Sequence, residues 1–168
     1  IFLTDIVILH ALTKNEHAEQ LHQMEKIAKS VQSMLSAATE DSALISTSLY
    51  MDSSLQDFVS RQYASPQDYF SSYREYIHNS LLQGVSRITN SVIRVYADNE
   101  TLINGSEFAR LSTVSQEPWY QQYTADGYSP RLLFSYDETD GRQVLFLRGM
   151  NGLYSDKAER LLCIEINY

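Results

Sequence analysis

Cysteine, proline and glycine are all scarce in this chain. Its 168 residues include one Cys, three Pro and six Gly. The single cysteine, Cys163, excludes an internal disulfide and therefore a small fold that disulfides hold together. Because Cys163 is flanked by Leu162 and Ile164, we expect a buried thiol without a chemical role. No Pro or Gly occurs before Pro66, so the first third of the chain can form long helices.

Positive charge is also in short supply. Lys and Arg number 13 against 21 Asp and Glu, which gives a net charge of -8 and a pI of about 4.9. An acidic surface repels phosphate backbones, so nucleic acid is not an expected partner. Hydrophobic residues make up 43% and charged residues 20%, proportions typical of one globular domain rather than a disordered chain.

Catalytic and metal-binding motifs are missing. The chain has no His-Glu-x-x-His, P-loop or Gly-x-Ser-x-Gly sequence. His17 and His22 are five residues apart, which places them on different sides of a helix and disfavours a shared metal ion. We interpret the acidic stretch 137–140 as a solvated turn rather than a cation site. The sequence therefore predicts no enzyme activity, no cofactor and no bound metal.

No apolar run is long enough to cross a bilayer. Ile1–Leu12 is strongly apolar, but it is too short to span and Asp5 interrupts it. No basic region precedes it, so it is not a complete signal peptide. Two interpretations remain, namely the outer end of a transmembrane helix or the first buried turns of a soluble helix.

The next segment has the pattern of one long helix. From Leu21 to Leu49, apolar or small residues recur every three or four positions, which predicts a helix over 15–50. A break within 39–42 is allowed, because Thr, Ser and Asp compete with helical hydrogen bonds. These residues form a seam along one side of the helix, which either packs on its own domain or forms a dimer contact. Both arrangements can occur, on different turns of the helix.

A second helical region is predicted over 52–88. Asp52 is placed to cap a short helix that carries Leu55 and Phe58. Ser65 followed by Pro66 and Asp68 is a stronger start signal, with Ser at the cap and Pro in the first turn.

After Thr89 the hydrophobic period changes from that of a helix to that of a strand. A short helix beginning at Pro118 interrupts the strands and ends at Asp126 and Gly127. The order indicates an α+β fold in which helices precede a largely antiparallel sheet with one covering helix. The predicted strands are Val92–Ala97, Arg131–Tyr136, Gln143–Arg148 and Arg160–Tyr168.

The order and spacing of these elements resemble a known family. The segments concerned are Val92–Asn99, Pro118-Trp119-Tyr120, Leu145–Arg148 and Leu161–Tyr168. Together they resemble the extracytoplasmic Cache (PAS-like) sensor domain of a bacterial membrane histidine kinase of the YesM type. The resemblance covers nearly the whole chain.

This resemblance implies a two-component signalling role on the outer side of a bacterial cell membrane. The domain is expected between two transmembrane helices, with Ile1–Leu12 at the end of the first, and in a homodimeric receptor. It is expected to sense an unknown small molecule or protein and to relay the signal to a kinase. The alternatives are the sensor domain of a chemoreceptor or another receptor, and a stand-alone interaction domain.

The resemblance also implies where a ligand binds. A PAS-like sheet holds its ligand between one face and the covering segment, here residues 107–127. Aromatic walls and a guanidinium suit a small polar or anionic molecule. Trp119 has the alternative role of a core anchor, and Arg148 that of a structural ion pair or exposed sheet residue. The candidate ligand-binding residues are Tyr96, Trp119, Tyr120, Arg131, Ser135, Tyr136 and Arg148.

Overall fold

The computed structural model describes residues 2–78, 80–89, 91–137, 141–151 and 158–166. Side chains are described at all of these positions except 2–13, 87–89, 137 and 142. The chain divides into two compact units, Ile1–Ala38 and Thr39–Tyr168. The tip of the predicted hairpin at 138–140 and the last two residues of the predicted final strand lie outside the described residues.

The first helix is longer than the sequence predicts. α1 spans Phe2–Tyr50 and continues through 39–42, where the sequence permits a break. Within the first unit its seam residues are exposed, including Leu21 at 67% and Met24 at 66%. Within the second unit Ser42 and Leu49 are buried. The last turns of the seam therefore pack on their own domain, and the dimer contact stays a prediction.

Three shorter helices follow, α2 (Ser53–Ser60), α3 (Pro66–His78) and α4 (Leu81–Thr89). Asp52 caps α2 as predicted, because its carboxylate accepts hydrogen bonds from the backbone N–H groups of Ser54 and Leu55. At the start of α3 the Ser65 hydroxyl accepts from the Asp68 N–H, and the Asp68 carboxylate accepts from the Ala64 N–H. This reciprocal capping explains why the predicted start signal works.

Five strands form one open mixed sheet in the order β2-β1-β5-β4-β3. β1 pairs antiparallel with β5 and parallel with β2, and β4 lies antiparallel between β5 and β3. β2 is only three residues long and is too short to show an alternating pattern, so the sequence does not predict it. The strands are β1 (Val92–Ala97), β2 (Phe108–Arg110), β3 (Arg131–Asp137), β4 (Gly141–Gly149) and β5 (Arg160–Ile166).

The two faces of the sheet are covered by different helices. The first, the α2 face, includes Ile93, Val95, Phe108, Leu162 and Ile164, all at most 3% exposed. The ring of Phe108 lies 4.7 Å from that of Phe58 in α2. The second, the α5 face, includes Arg94, Tyr96, Leu145, Leu147, Leu161 and Cys163.

The α5 face is covered by a short helix between β2 and β3. α5 spans Pro118–Ala125, and Gly127 takes a positive φ of 84° directly after it, as the predicted stop signal requires. Tyr120 and Tyr123 pack against Leu147 and Leu161 in one buried cluster. The Tyr123 hydroxyl donates to the Tyr128 carbonyl and accepts from the Gly149 N–H, which fixes the cover to β4.

The architecture confirms the α+β class predicted from the sequence, with a long first helix, further helices and a five-stranded sheet. The predicted hairpin is also observed, because β3 pairs with β4 from Arg131 opposite Leu147 to Asp137 opposite Gly141.

Candidate functional site

A groove of about 210 Å³ opens on the α5 face beside the covering helix. It mixes charged and polar side chains with aromatic and apolar ones. The lining residues are Val92, Arg94, Tyr96, Val114, Glu117, Trp119, Gln143, Leu145, Cys163 and Glu165.

The strand register explains why polar groups gather here. Arg94 lies opposite Cys163, which lies opposite Leu147. One pair further along, Glu165 lies between Val92 and Leu145. Residues directly opposite one another point to the same face, so Arg94 and Glu165 both point into the groove. Two charged side chains therefore lie at adjacent positions of this sheet face.

Arg94 is held in a fixed orientation. Its Nε donates to the Ser106 carbonyl at 3.0 Å, and its Nη1 donates to the Tyr96 hydroxyl at 3.4 Å. The hydrogen bond to Tyr96 is the main cause that raises the pKa of Arg94, and Glu165 and Cys163 add to it. The guanidinium is therefore charged and positioned at the groove, with donor capacity beyond these two bonds.

Tyr96 and Trp119 form the aromatic wall. Their ring centroids are 6.1 Å apart at a tilt of 49°, within the range of favourable aromatic pairs. Tyr96 is buried, and desolvation raises the pKa of its hydroxyl. Trp119 is half-buried, so part of its ring faces the open groove. Of the seven residues predicted to bind ligand, these two are the ones that line it.

Cys163 lies on the groove floor rather than in a separate part of the core. It is 7% exposed, and burial raises the pKa of its thiol to about 12. The expectation of a buried thiol is confirmed. A thiol this weakly acidic is present as thiolate in negligible amounts at neutral pH, so it contributes shape and apolar surface to the groove.

Three other predicted residues share the α5 face but do not line the groove. The Tyr120 hydroxyl donates to Glu159 at 2.8 Å, which secures α5 to the start of β5. Arg131 forms an ion pair with Asp126 at the end of α5. Ser135 lies opposite Gln143, a groove residue, and is therefore next to the site.

The remaining two predicted residues, Tyr136 and Arg148, are on the α2 face. Tyr136 is 73% exposed. Arg148 donates to the Thr47 hydroxyl at 2.8 Å, and its guanidinium lies 4.7 Å from the centre of the Tyr50 ring. It therefore joins β4 to the last turns of α1. The seven residues do not converge on one site, because side chains of consecutive strand residues point to opposite faces.

Sequence reasoning missed four polar residues of the groove, Arg94, Glu117, Gln143 and Glu165. A signal was present for two of them. Arg94 shares a strand face with Tyr96, and Glu165 is the single charge in the apolar run Leu161–Ile166. Neither Glu117 nor Gln143 gives such a signal, because they reach the groove through the placement of α5 and the register of β4.

The groove has the chemistry of a small-molecule site rather than of a metal centre. Among the described residues, no three His, Cys, Asp or Glu side chains are grouped so that they could hold a metal ion. The groove instead offers one guanidinium, two carboxylates from Glu117 and Glu165, and an indole face. These groups suit a small polar ligand with an anionic group for Arg94.

Comparison with known proteins gives no match, whether with protein-family models, curated proteins or solved structures. Within the described parts of the chain, no helix combines the length and apolar content that a membrane span needs.

Proposed function

We propose that the chain is a signal-sensing domain that binds a small polar molecule in the groove between the sheet and α5. In its most specific form, the proposal is that the chain is the extracytoplasmic domain of a bacterial sensor histidine kinase of the YesM type. The resemblance in sequence leads to this proposal. A sheet with helices against one face and a short covering helix on the other is the arrangement that a Cache (PAS-like) fold implies.

The observation that carries the proposal is the oriented guanidinium of Arg94 beside the aromatic wall. A charged group half-buried in a sheet face is costly unless partners satisfy it. Arg94 has partners in Ser106 and Tyr96, yet it still borders the groove. An oriented guanidinium that borders open space is what a site for a carboxylate requires.

The signal would leave the groove through β4. Leu145 and Gln143 of β4 line the groove, and Arg148 on the same strand is bonded to Thr47 of α1. Ligand that binds one arrangement of β4 more tightly shifts the population toward it. An energy difference of a few kcal/mol between two arrangements is enough for a signal, so modest affinity suffices.

A thermal-shift screen of small carboxylates and zwitterions tests the site. A ligand that raises the melting temperature of the wild type should not stabilise Arg94→Gln. Arg131→Gln is the matched control, because Arg131 is on the same face but is paired with Asp126 outside the groove. Equal loss in both variants would remove the argument for Arg94, and a screen without any shift would remove the small-molecule proposal.

A second candidate function is a protein-interaction module, and the exposed side chains of α1 favour it. Leu21, Met24 and Ile27 are each more than 60% exposed. Exposed apolar residues in one helical segment are typical of a surface that another protein covers. Under the sensor proposal this partner is a second copy of the chain, as the expected homodimer requires.

The exposed apolar surface of α1 also allows an experiment that distinguishes the two candidate functions. Sedimentation at increasing concentration should reveal a dimer that Leu21→Gln with Met24→Gln abolishes, while ligand stabilisation of the melting temperature persists. If the ligand screen fails and a dimer or a foreign partner remains, the interaction module is the better account. Any sequence encoded after Tyr168 would distinguish a kinase from a chemoreceptor.

A further inference from the structure

A cavity among the helices has no role in the proposed function. It measures about 720 Å³ and lies between the end of α1 and helices α2, α3 and α4. None of its lining residues belongs to the sheet or to the groove beside α5. It is therefore a separate site with its own chemistry.

Aromatic rings form one wall of this helical cavity. Phe58 and Tyr76 are stacked with centroids 5.1 Å apart, and Tyr63 lies 5.8 Å from Phe58. The guanidinium of Arg61 lies 5.5 Å from the centre of the Tyr63 ring. One cation is thus already attracted to this wall, because the faces of aromatic rings carry negative potential.

The charge around the cavity is predominantly negative. Asp52, Asp57 and Glu75 line it, and Arg61 is the single basic residue among the described lining residues. Arg61 is already bonded to Asp68 at 2.8 Å. The three carboxylates do not come close enough together to form a metal site. Carboxylates spread around an aromatic wall suit an extended organic cation better than a compact ion.

The Tyr76 hydroxyl offers a hydrogen-bond acceptor to a ligand in this cavity. Its oxygen is shielded from solvent, and the Ser80 hydroxyl is the polar group beside it. Ser80 donates to the Ile77 carbonyl and accepts from the Gln83 N–H, so its remaining lone pair can only accept from Tyr76. The lone pairs of the Tyr76 oxygen are therefore left for an external donor. An ammonium group that enters beside Tyr76 would donate to this oxygen.

We propose that the helical cavity binds an aliphatic di- or polyamine. One ammonium group would bond to Tyr76 and Glu75, and the methylene chain would lie against Phe58. The remaining ammonium groups would face Asp52 and Asp57. This ligand class matches the aromatic wall of the cavity and the number of its negative groups.

Calorimetric titration with spermidine at constant ionic strength tests the proposal. The wild type should bind spermidine saturably. Glu75→Gln should weaken binding about two- to fivefold, as expected for an exposed ion pair. Tyr76→Phe keeps the ring but removes the hydroxyl, and it should weaken binding about two- to tenfold. Glu75 is exposed and Tyr76 is half-buried and keeps its ring in Tyr76→Phe, so both variants should fold.

Glu117→Gln is the matched control, because it removes the same charge from the groove beside α5. It should leave spermidine binding unchanged. The proposal is overturned if no saturable binding occurs, or if Glu117→Gln weakens binding as much as Glu75→Gln does. Magnesium chloride at equal charge is a second control, and full competition by it would also overturn the proposal in favour of general charge screening.

Discussion

The two faces of the sheet are formed by the same strands but differ in how closely they are packed. On the α2 face the buried residues are apolar apart from Arg160, and rings from α2 and α3 fill the space above it. On the α5 face Arg94 and Glu165 point outward between apolar neighbours, and a groove remains beside the covering helix. The α2 face is packed, whereas the α5 face keeps open space beside its charged residues.

This difference indicates which face stabilises the fold and which face is free to bind. Apolar burial supplies most of the free energy of folding, so the α2 face has little tolerance for change. The groove contributes less apolar contact and has partly solvated charges. A site that rearranges on binding belongs on the face where substitutions cost least.

The largest expected effect comes from removing the central ring of the α2 face. Phe58 contacts five other aromatic rings, so Phe58→Ala should lower the free energy of unfolding by about 3–5 kcal/mol in a urea titration. Phe134→Ala is the control, because Phe134 is on the same face but 68% exposed, and it should cost less than about 1 kcal/mol. Similar losses in both variants would contradict the packing account.

The next largest effect is expected at Asn99, which joins the end of β1 to α2. Its amide nitrogen donates to the Val59 and Arg61 carbonyls at 3.0 and 2.9 Å, and its oxygen accepts from Thr101. Asn99→Ala leaves these buried groups unpaired, so unfolding should become easier by about 2–3 kcal/mol. Asn104→Ala removes a single exposed bond and should cost less than half as much. The comparison fails if Asn99→Ala is the milder change.

Alkaline pH should destabilise the α2 face. Burial raises the pKa of Tyr69 from 10.0 to about 12, and burial also raises the pKa values of Tyr63 and Tyr76. Between pH 10 and 12 the unfolded chain releases these protons while the folded chain retains them. Stability is therefore complete below pH 10 and falls as pH rises toward 12. Urea titrations at several pH values should show this fall, and Tyr69→Phe should make it shallower. An unchanged slope in Tyr69→Phe would contradict the assignment.

The smallest effect is expected in the groove. Glu165 is half-buried and borders open space, so Glu165→Gln should change the free energy of unfolding by less than about 1 kcal/mol. The same urea titration measures it. A loss as large as that of Asn99→Ala would mean that the α5 face is as tightly constrained as the α2 face.

The sequence predicts the fold class because its local signals are strong. Helical periodicity, the Asp52 and Ser65 caps and the helix start at Pro118 all correspond to observed elements. The end of the predicted helix at residue 50 is confirmed, and α1 begins earlier, at Phe2 rather than at residue 15. The break that the sequence permits within 39–42 does not occur, and the buried Ser46 and Leu49 show that tertiary packing supports the last turns. β2 was missed because three residues carry no periodicity.

The site was less predictable, because it depends on which face each strand residue occupies. Alternation assigns Tyr96 and Arg94 to one face, but it does not say that Arg148 belongs to the other until β4 is paired with β5 in register. Arg148 and Tyr136 were therefore grouped with residues across the sheet. Glu117 and Glu165 lie far apart in sequence, and pairing and helix placement alone bring them to one groove.

The most direct test of the distinction between the two faces uses the fluorescence of Trp119. It is the single tryptophan of the chain and its ring lines the groove, so its emission reports on this site alone. Titration with small carboxylates and zwitterions should produce a saturable change in emission for at least one compound in the wild type, and Arg94→Gln should abolish that change. Stabilisation of the protein by a compound that leaves Trp119 emission unaltered, or no saturable change with any compound, would contradict the assignment of the groove as the binding site.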